Sequence, residues 1–325
     1  MKLPRRKFLH LTAGAAALPA VSRVARAQTY PSRPVRMIVR FAAGGGLDIV
    51  ARIMGQWLSE RLGQPFVIEN RPGAGGNTAT EAVVRAPADG YTLLLVTSAN
   101  AVNATLYDKL NFNLIQDIAP IAGINNSTYV LAVHPSFPAK TVREFIAYAK
   151  ANPGKINMAS AGTGSGTHMA GELFKMMPGV NLIHVPYRGG GTAYPDLLAG
   201  QVQVYFSNMA SSIEYIRAGK LRALAVTTAT RAKALRDVPT VSEFVPGYEA
   251  SSWYGIGAPK KTQIEIVDKL NSEINAALAD PKITARLADL GATALPGSPA
   301  DFAKLIADDT EKWGKVIRAL NIKAD

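Results

Sequence analysis

Residues 35–50, VRMIVRFAAGGGLDIV, contain the pattern on which the fold depends. The apolar stretch over 35–41 is typical of a buried strand. A glycine-rich loop follows from Ala42 to Gly46, and Asp48 opens a segment whose apolar side chains recur at helical spacing. The sequence therefore predicts a strand, a glycine loop and a helix in direct succession.

The same order of elements occurs a second time, beginning with INMASAGTGSGTHMA at residues 156–170. In both copies a helix, a strand and a second glycine loop follow, the loops lying at 70–76 and 186–191. An arginine, Arg71 or Arg188, precedes the glycines of that second loop in each copy. Repeated βαβ units imply parallel strands with right-handed crossovers. The duplication predicts an α/β protein with two similar lobes, each a mainly parallel sheet flanked by helices.

The remaining segments determine where the chain passes between the lobes. Strands are predicted at 91–96, 129–133 and 219–226, and helices over about 77–86, 141–151, 262–279, 281–290 and 299–319. We place the two crossings near 124–128 and 226–230. Lobe 1 is then discontinuous, 28–125 plus 229–325, and lobe 2 covers 126–228.

The first 27 residues, MKLPRRKFLHLTAGAAALPAVSRVARA, have the three parts of an export signal. A basic start is followed by an uncharged stretch over 11–21 and by an A-x-A cleavage pattern that ends at Ala27. RRKFL at 5–9 fits the twin-arginine type. The alternative is a membrane anchor, but about 11 apolar residues fall short of the roughly 20 that span a bilayer. We expect a periplasmic protein, cleaved near Ala27 and without membrane insertion.

The composition narrows the classes of partner and chemistry. The chain has 325 residues, no cysteine and a formal net charge of +12. The lack of cysteine excludes disulfides, thiolate metal sites and a cysteine nucleophile. The export signal holds six Lys and Arg residues and no acidic one, so the mature chain carries +6. No basic run remains in it, and a nucleic-acid partner is therefore not expected.

Each glycine loop that joins a strand to a helix is a candidate anion site. Backbone N–H groups at a helix start point outward and carry the positive end of the helix dipole. Ligands bind at the carboxyl ends of parallel strands, where these loops lie. Loops from two facing lobes would hold a small anion from both sides, whereas the alternative is that the glycines only make tight turns.

Enzyme motifs are mostly absent. Gly44 and Gly46 begin a dinucleotide fingerprint that Ile49 breaks, although Glu69 stands where a ribose-binding acid would. Neither a phosphate-binding Gly-Lys-Ser/Thr nor a G-x-S-x-G elbow occurs at the second copy. The three histidines of the mature chain are isolated in sequence, so no metal site is predicted. The alternative to a binding protein is an exported NAD(P)-dependent oxidoreductase that uses the first glycine loop and Glu69.

Several polar residues near the loops have two interpretations each. Asp48 and Thr167 stand where helix caps belong, and His168 follows in the first helical turn. Polar residues after two other strands, Ser98 with Asn100 and Ser207 with Asn208, either line the cleft or belong to loops. Trp253 and Tyr254 are expected in the core or at a hinge.

A set of longer motifs runs through residues 30–320: FAAGGGLD at 41–48, ENRPGAGG at 69–76, APADGYT at 86–92, VPYRGGG at 185–191, LLAGQV at 197–202, KLRALAVT at 220–227 and DVPTV at 237–241. Together they resemble the substrate-binding receptors of tripartite tricarboxylate transporters, the Bug-type (TctC-like) family. The resemblance implies a two-lobed periplasmic-binding-protein fold, a "Venus flytrap" that closes on a small carboxylate. It also implies a monomeric receptor without catalysis or cofactor, whose partner is a membrane permease.

The resemblance places the ligand carboxylate between two opposed loops, 41–48 and 160–168. The candidate binding residues carried over to this chain are Phe41, Ala43, Gly45, Asp48, Ser98, Asn100, Ser160, Thr163, Gly164, Ser165, Thr167, His168, Tyr187 and Ser207. Two positions depart from the family pattern: Arg40 stands where proline is frequent, and Ser207 where aspartate is frequent. Loss of that acid favours a plain carboxylate over a ligand with an amino group.

Overall fold

The structure is a computed structural model that describes residues 30–320 and 322–324. The predicted export signal at 1–27 lies outside the described residues. The first part of the chain forms β1 (Val35–Val39), α1 (Gly46–Leu62), β2 (Phe66–Asn70), α2 (Asn77–Val84), β3 (Thr92–Thr97), α3 (Ser98–Leu106), α4 (Leu114–Asp117) and β4 (Ile118–Val133).

The second part begins with the other copy of the repeat. It forms α5 (Val142–Ala151), β5 (Asn157–Ser160), α6 (Gly166–Met176), β6 (Ile183–Pro186), α7 (Tyr194–Leu198), β7 (Val204–Asn208), α8 (Met209–Arg217) and β8 (Arg222–Val226). The chain then adds β9 (Ser251–Pro259), α9 (Ile264–Ala279), α10 (Pro281–Asp289), β10 (Ala292–Ala294) and α11 (Pro299–Leu320). None of the helices in the described part of the chain combines the length and apolarity that crossing a membrane requires.

Each copy of the repeat builds a parallel three-stranded unit, and antiparallel strands complete each sheet. In the first sheet the order is β2-β1-β3, followed by β9 and β4, with β10 on β4. In the second it is β6-β5-β7, followed by β4, which also pairs with β8. The long strand β4 therefore belongs to both sheets and joins the lobes.

The chain passes from one sheet to the other within β4. Thr128 still pairs with Ser251 of β9, whereas Tyr129 already pairs with Asn208 of β7. The return passage follows β8, and Val241, Val245 and Tyr248 pack into the core of the second sheet. The predicted lobe boundaries remain predictions, and this packing favours assigning 229–250 to the second lobe.

Two large apolar clusters form the centres of the lobes. In the first, α1 and α9 cover β1 and β3, with Met37, Leu58 and Leu270 fully buried. In the second, α5 and α6 cover β5 and β7, and the ring of Phe174 contacts those of Phe145 and Phe206. Burial on this scale fixes the ends of the strands, and with them the loops that follow.

Strand β9 was absent from the sequence-based prediction. Its sequence, SSWYGIGAP, contains two glycines and three small residues, which are weak strand formers. The structure explains Gly255, because a Cβ there would overlap the ring of Phe302, which packs against β9. Close packing from both faces, rather than strand propensity, determines this element.

Candidate functional site

A cavity of about 40 Å³ lies between the two lobes, where four helices begin. These are α1, α3, α6 and α8, two from each lobe, and their first turns or caps form much of its wall. The cavity is lined by Phe41, Gly45, Gly46, Leu47, Asp48, Thr97, Ala99, Tyr129, Ala161, Ser165, Gly166, Thr167, Gly190, Tyr205, Asn208, Ser211, Ser252 and Tyr254. At roughly 10–15 Å³ per water, the space suits about three waters or one small polar group.

The first glycine loop presents backbone to the cavity because its helix cap has no side chain. Gly45 is the N-cap of α1, so no side chain of its own satisfies the first N–H groups of that helix. Gly46 lies against the amide of Asn208, and a Cβ at Gly46 would overlap that amide. Close approach of the lobes at this point therefore requires glycine.

The loop at 160–168 is built in the same way as the loop at 41–48 and adds hydroxyl groups. Ser165 caps α6 by accepting a hydrogen bond from the N–H of His168 at 3.2 Å. The Thr167 hydroxyl lies 3.0 Å from that of Ser165 and accepts the N–H of Ala161 at 2.9 Å. Since both hydroxyls lie at the cavity, each can turn to meet a bound polar group.

Three buried tyrosines, Tyr129, Tyr205 and Tyr254, form the opposite wall. Burial raises the pKa of each hydroxyl well above its ordinary value, so all three remain neutral at physiological pH. The hydroxyl of Tyr254 accepts a hydrogen bond from the Asn208 amide at 2.9 Å. Neutral hydroxyls can donate to an anion, and they add no negative charge that would repel it.

Asp48 lines the cavity, but its carboxylate is already engaged. It accepts hydrogen bonds from the Gly44 N–H, from both Nε and Nη2 of Arg52, and from the Asn70 amide, all at 2.9–3.0 Å. Burial favours the neutral acid, yet these donors, Arg52 first, lower the pKa of Asp48 below its ordinary value. Asp48 therefore fixes the first loop.

The lobes are in direct contact around the cavity. The N–H of Ala42 donates to the carbonyl of Arg188 at 3.0 Å. This hydrogen bond joins the loop at 41–48 in one lobe to the loop at 186–191 in the other. Gly45 and Gly46 face Gly190 and Asn208 across the same junction. The two lobes therefore touch each other beside the cavity.

A series of contacts behind the loop at 160–168 connects two predicted binding residues, Ser160 and His168. The Ser160 hydroxyl lies 2.6 Å from Nε2 of His184, whose ring stacks on that of His168 at 3.9 Å. His168 accepts the Gly164 N–H at Nδ1, and its Nε2 lies 3.5 Å from Glu172. His168 and Ser160 are buried and do not line the cavity, so their contacts support the loop from behind.

The structure brings together five of the fourteen predicted binding residues at the cavity: Phe41, Gly45, Asp48, Ser165 and Thr167. Thr163 and Tyr187 line a second, larger cleft beside it, which Phe41 also borders. The other seven line neither space, namely Ala43, Ser98, Asn100, Ser160, Gly164, His168 and Ser207. The roles assigned to all fourteen remain predictions.

Local contacts explain some of these positions. Ser98 is buried against Ser252, with 2.6 Å between the hydroxyl oxygens, and Asn100 forms a capping box with Thr97. Gly164 has a φ of 76° and packs on α3, and Ala43 is exposed.

Sequence reasoning missed most of the far wall. Tyr129 and Tyr205 were read as parts of strands, and Ser252 belongs to the strand that was not predicted. Tyr254 was expected in the core or at a hinge, whereas it lines the cavity and its hydroxyl contacts Asn208 there. Asn208, for which the sequence left open a place in the cleft or in a loop, lines the cavity and caps α8.

The described residues offer little support for a dinucleotide site at Glu69 or for a metal site. Glu69 is bound by Arg36 at 2.8 Å and by Arg71 at 2.5 Å, so its carboxylate is occupied. Within residues 30–320 and 322–324, no group of three or more His, Asp or Glu side chains could hold a metal ion.

An α/β protein of two lobes, with helix N-termini from both at an interlobe cavity, has the architecture of a solute-binding receptor. The family described as "Tripartite tricarboxylate transporter family receptor" matches residues 50–322. The chain belongs to this family, as the sequence motifs indicated.

Similar proteins and solved structures support the same family assignment. Protein BugT of Bordetella pertussis is 38% identical over 300 residues, which cover 91% of this chain and 92% of BugT. The structure described as "R. palustris Rpa4515 with adipate" is 37% identical, with a TM-score of 0.89 over 91% of this chain and all of that one. MatC from Rhodopseudomonas palustris with bound malate is 33% identical, with a TM-score of 0.84 over 89% of this chain and all of MatC. The predicted two-lobed binding-protein fold is confirmed.

Proposed function

We propose that the mature protein is a periplasmic receptor that captures a small carboxylate in the interlobe cavity and presents it to the membrane permease of a tripartite tricarboxylate transporter. The observation that carries the proposal is the convergence of four helix N-termini on one cavity. Two relatives with this fold were solved with adipate and malate, both carboxylates. The receptor carries no catalytic role in this proposal.

The energetics favour an anion held by dipoles and neutral donors. Each helix N-terminus contributes about 0.3–1 kcal/mol to a nearby negative charge. Hydrogen bonds to a charged group contribute about 1.5–3 kcal/mol each. Micromolar affinity needs about 8 kcal/mol, which two or three such bonds together with the helix dipoles supply. Among the described residues that line the cavity, Asp48 is the one with a carboxyl group, and its hydrogen bonds are already made.

Isothermal calorimetry on the mature chain would test the proposal with adipate and malate, and with adipamide as the uncharged analogue of adipate. We expect at least one of the two acids to bind and adipamide to be at least about tenfold weaker, because it lacks the carboxylate charge. Equal binding of adipamide, or no binding of either acid, would contradict the proposal. Binding of a nicotinamide dinucleotide instead would favour the oxidoreductase alternative.

A matched pair of variants tests the location. Tyr205→Phe removes a hydroxyl at the cavity, and we expect it to weaken carboxylate binding about 2- to 10-fold. Tyr148→Phe removes a hydroxyl in the same lobe, where the ring packs on Phe137 and neither residue lines the cavity. It should bind as the wild type does. Equal loss in both variants would place the ligand elsewhere.

A further inference from the structure

His168 is buried in the first turn of α6, and its ring holds the backbone of the loop at 160–168. The N–H of Gly164 donates to Nδ1 of that ring at 3.2 Å. Gly164 has a φ of 76°, and a Cβ there would meet Asn103 and Leu106 of α3, in the other lobe. The hydrogen bond therefore fixes a part of the loop that touches the opposite lobe.

The Nδ1 atom of His168 can accept this hydrogen bond only while it carries no proton. In a neutral imidazole one ring nitrogen donates and the other accepts, whereas both donate once the ring is protonated. Protonation would set an N–H of the ring against the N–H of Gly164, and the loop would lose this support. Histidine is the side chain that ordinarily exchanges its proton between pH 5 and pH 8.

Ionisable side chains face the His168 ring from α6 and from β6. Its Nε2 lies 3.5 Å from Glu172, whose carboxylate also binds Lys175 at 2.8 Å. Burial favours the neutral form of Glu172, yet hydrogen bonds from His168 and Lys175 keep its pKa low, so it stays ionised across this pH range. The ring of His184 on β6 stacks on the other face at 3.9 Å. The neighbouring α3 and β5 contain no charged side chain.

These contacts assign the proton of the neutral His168 ring to Nε2, because the Glu172 carboxylate can only accept. Nδ1 is then the acceptor that the loop requires. At the matching position of the first copy, Asp48 accepts the N–H of Gly44 at 3.0 Å, and a carboxylate remains an acceptor from pH 5 to pH 8. A proton gained in this range therefore acts on the second copy alone.

The loop that His168 supports is part of the cavity wall. Ser165 follows Gly164 directly and lines the cavity together with Gly166 and Thr167. The Ser165 hydroxyl also accepts the N–H of His168 at 3.2 Å. A shift of the loop at Gly164 would therefore displace the hydroxyls that face a bound ligand.

We propose that His168 is a positioning residue for ligand capture, which holds the loop at 160–168 in its binding conformation only while Nδ1 is unprotonated. The affinity for a carboxylate is then highest at pH 8 and falls as the pH drops, so the receptor loads at neutral pH and releases its ligand in acid. This inference rests on the proposed function. By linkage, ligand binding expels a proton from any ring that carries one.

Calorimetry with adipate and malate at pH 8.0, 7.0, 6.0 and 5.5 tests the proposal. We expect the affinity of the wild type to fall about 3- to 10-fold over this range, the effect of one lost hydrogen bond. At pH 6.5 binding should release protons, which makes the measured enthalpy depend on the ionisation enthalpy of the buffer.

The decisive variant is His168→Asn, which places an amide oxygen near the position of Nδ1 and does not titrate. It should bind as the wild type does at pH 8.0, change by less than about twofold down to pH 5.5, and release no protons. Protonation of the ligand itself would affect wild type and variant alike, so the difference between them reports on His168.

Two control variants remove other imidazoles of the same lobe. His134 accepts the N–H of Ser136 and does not line the cavity, so His134→Asn should keep the pH dependence. His184→Gln removes the stacked ring and should keep it as well, because His168 still titrates. If His184→Gln lost the dependence and His168→Asn did not, the titrating group would be His184 and the proposal would be wrong.

The remaining outcomes separate this proposal from the proposed function. A wild-type affinity that is constant from pH 8.0 to pH 5.5, or a His168→Asn variant with the wild-type dependence, would overturn the role of His168 and leave the carboxylate receptor intact. A wild type that binds neither acid at pH 8.0 would count against both. If His168→Asn fails to fold, as its melting temperature would show, NMR titration of the wild-type histidine rings decides, since His168 should lose its proton when ligand is added.

Discussion

The starts of α1 and α6, one in each lobe, share one backbone geometry but carry side chains of opposite acid–base character. In the first copy the N–H of Gly44 donates to Asp48, and in the second the N–H of Gly164 donates to His168. One turn later the partner is Arg52 for the acid and Glu172 for the histidine. An acid held by a base in one lobe thus corresponds to a base held by an acid in the other.

The fold requires the backbone of this loop in both copies of the repeat. Gly44 and Gly164 have φ angles of 82° and 76°, a left-handed conformation that glycine adopts most easily. Both glycines place an N–H on the residue four positions later, and an acceptor atom suffices there. The backbone of the loop is therefore the duplicated element, and its charge was free to differ between the lobes.

The largest expected effect comes from breaking the close approach that both copies share. Gly46→Ala would drive a Cβ into the amide of Asn208, and Gly166→Ala would drive one into the hydroxyl of Tyr129. Such overpacking costs about 1–3 kcal/mol, so we expect carboxylate affinity to fall about 5- to 150-fold in each variant. Calorimetry with adipate and malate would measure the loss.

The control for this experiment is Gly45→Ala. A Cβ there would lie 3.5 Å from the N of Gly190, an ordinary contact, and Gly45 has an ordinary φ of −82°. It should retain affinity within about threefold, equivalent to less than 1 kcal/mol. If Gly46→Ala and Gly166→Ala bound as tightly as this control, ligand binding would not depend on these two close approaches.

The sequence was sufficient to predict the strand–loop–helix units and the three C-terminal helices, because their apolar spacing and glycine stops are local. The helices predicted at 262–279, 281–290 and 299–319 match α9, α10 and α11 within two residues at each end. Residues 118–128 of β4 and all of β9 were not predicted, since the glycine and small residues there are explained by long-range packing. The same reason hid Tyr129 and Ser252, which reach the cavity through strand pairing.

The position of Arg40 shows a different limit. Its departure from the family pattern was visible in the sequence, but its burial without a counterion was not. Whether a strand-end arginine is exposed depends on the glycine loop that folds over it, here through Gly75 and Gly76. A residue that breaks a pattern is therefore informative only once its surroundings are known.

A smaller effect is expected where the two copies differ in charge. Asp48→Asn removes a carboxylate with four hydrogen bonds, three of them from side chains, and should destabilise the fold by about 1–3 kcal/mol. Glu172→Gln should cost less, since its partners are Lys175 at 2.8 Å and His168 at 3.5 Å. Urea unfolding at pH 7 would rank the two variants.

The pH dependence distinguishes this electrostatic effect from a packing defect. Burial alone would raise the pKa of Glu172, but hydrogen bonds from His168 and Lys175 lower it to about 2. Both acids have a lower pKa in the folded state than in the unfolded chain, where Asp and Glu titrate near 3.9 and 4.3. Their stabilisation is therefore complete above about pH 5 and is lost as the pH falls toward the folded values. A deficit in either variant that stayed constant from pH 7 to pH 3 would contradict the electrostatic account.

The smallest effect is expected at Glu69, the residue on which the oxidoreductase alternative depends. Its carboxylate is partly exposed and bound by Arg36 and Arg71, and surface pairs of this kind contribute about 0–1 kcal/mol. It lines neither the cavity nor the second cleft, so Glu69→Gln should leave adipate and malate affinity unchanged within about twofold. Titration with NADH, followed by its fluorescence, gives the matching measurement. If a dinucleotide bound the wild type and not Glu69→Gln, the first copy of the repeat would have a dinucleotide-binding function. The second copy would not share it, because Val185 occupies the strand position that corresponds to Glu69.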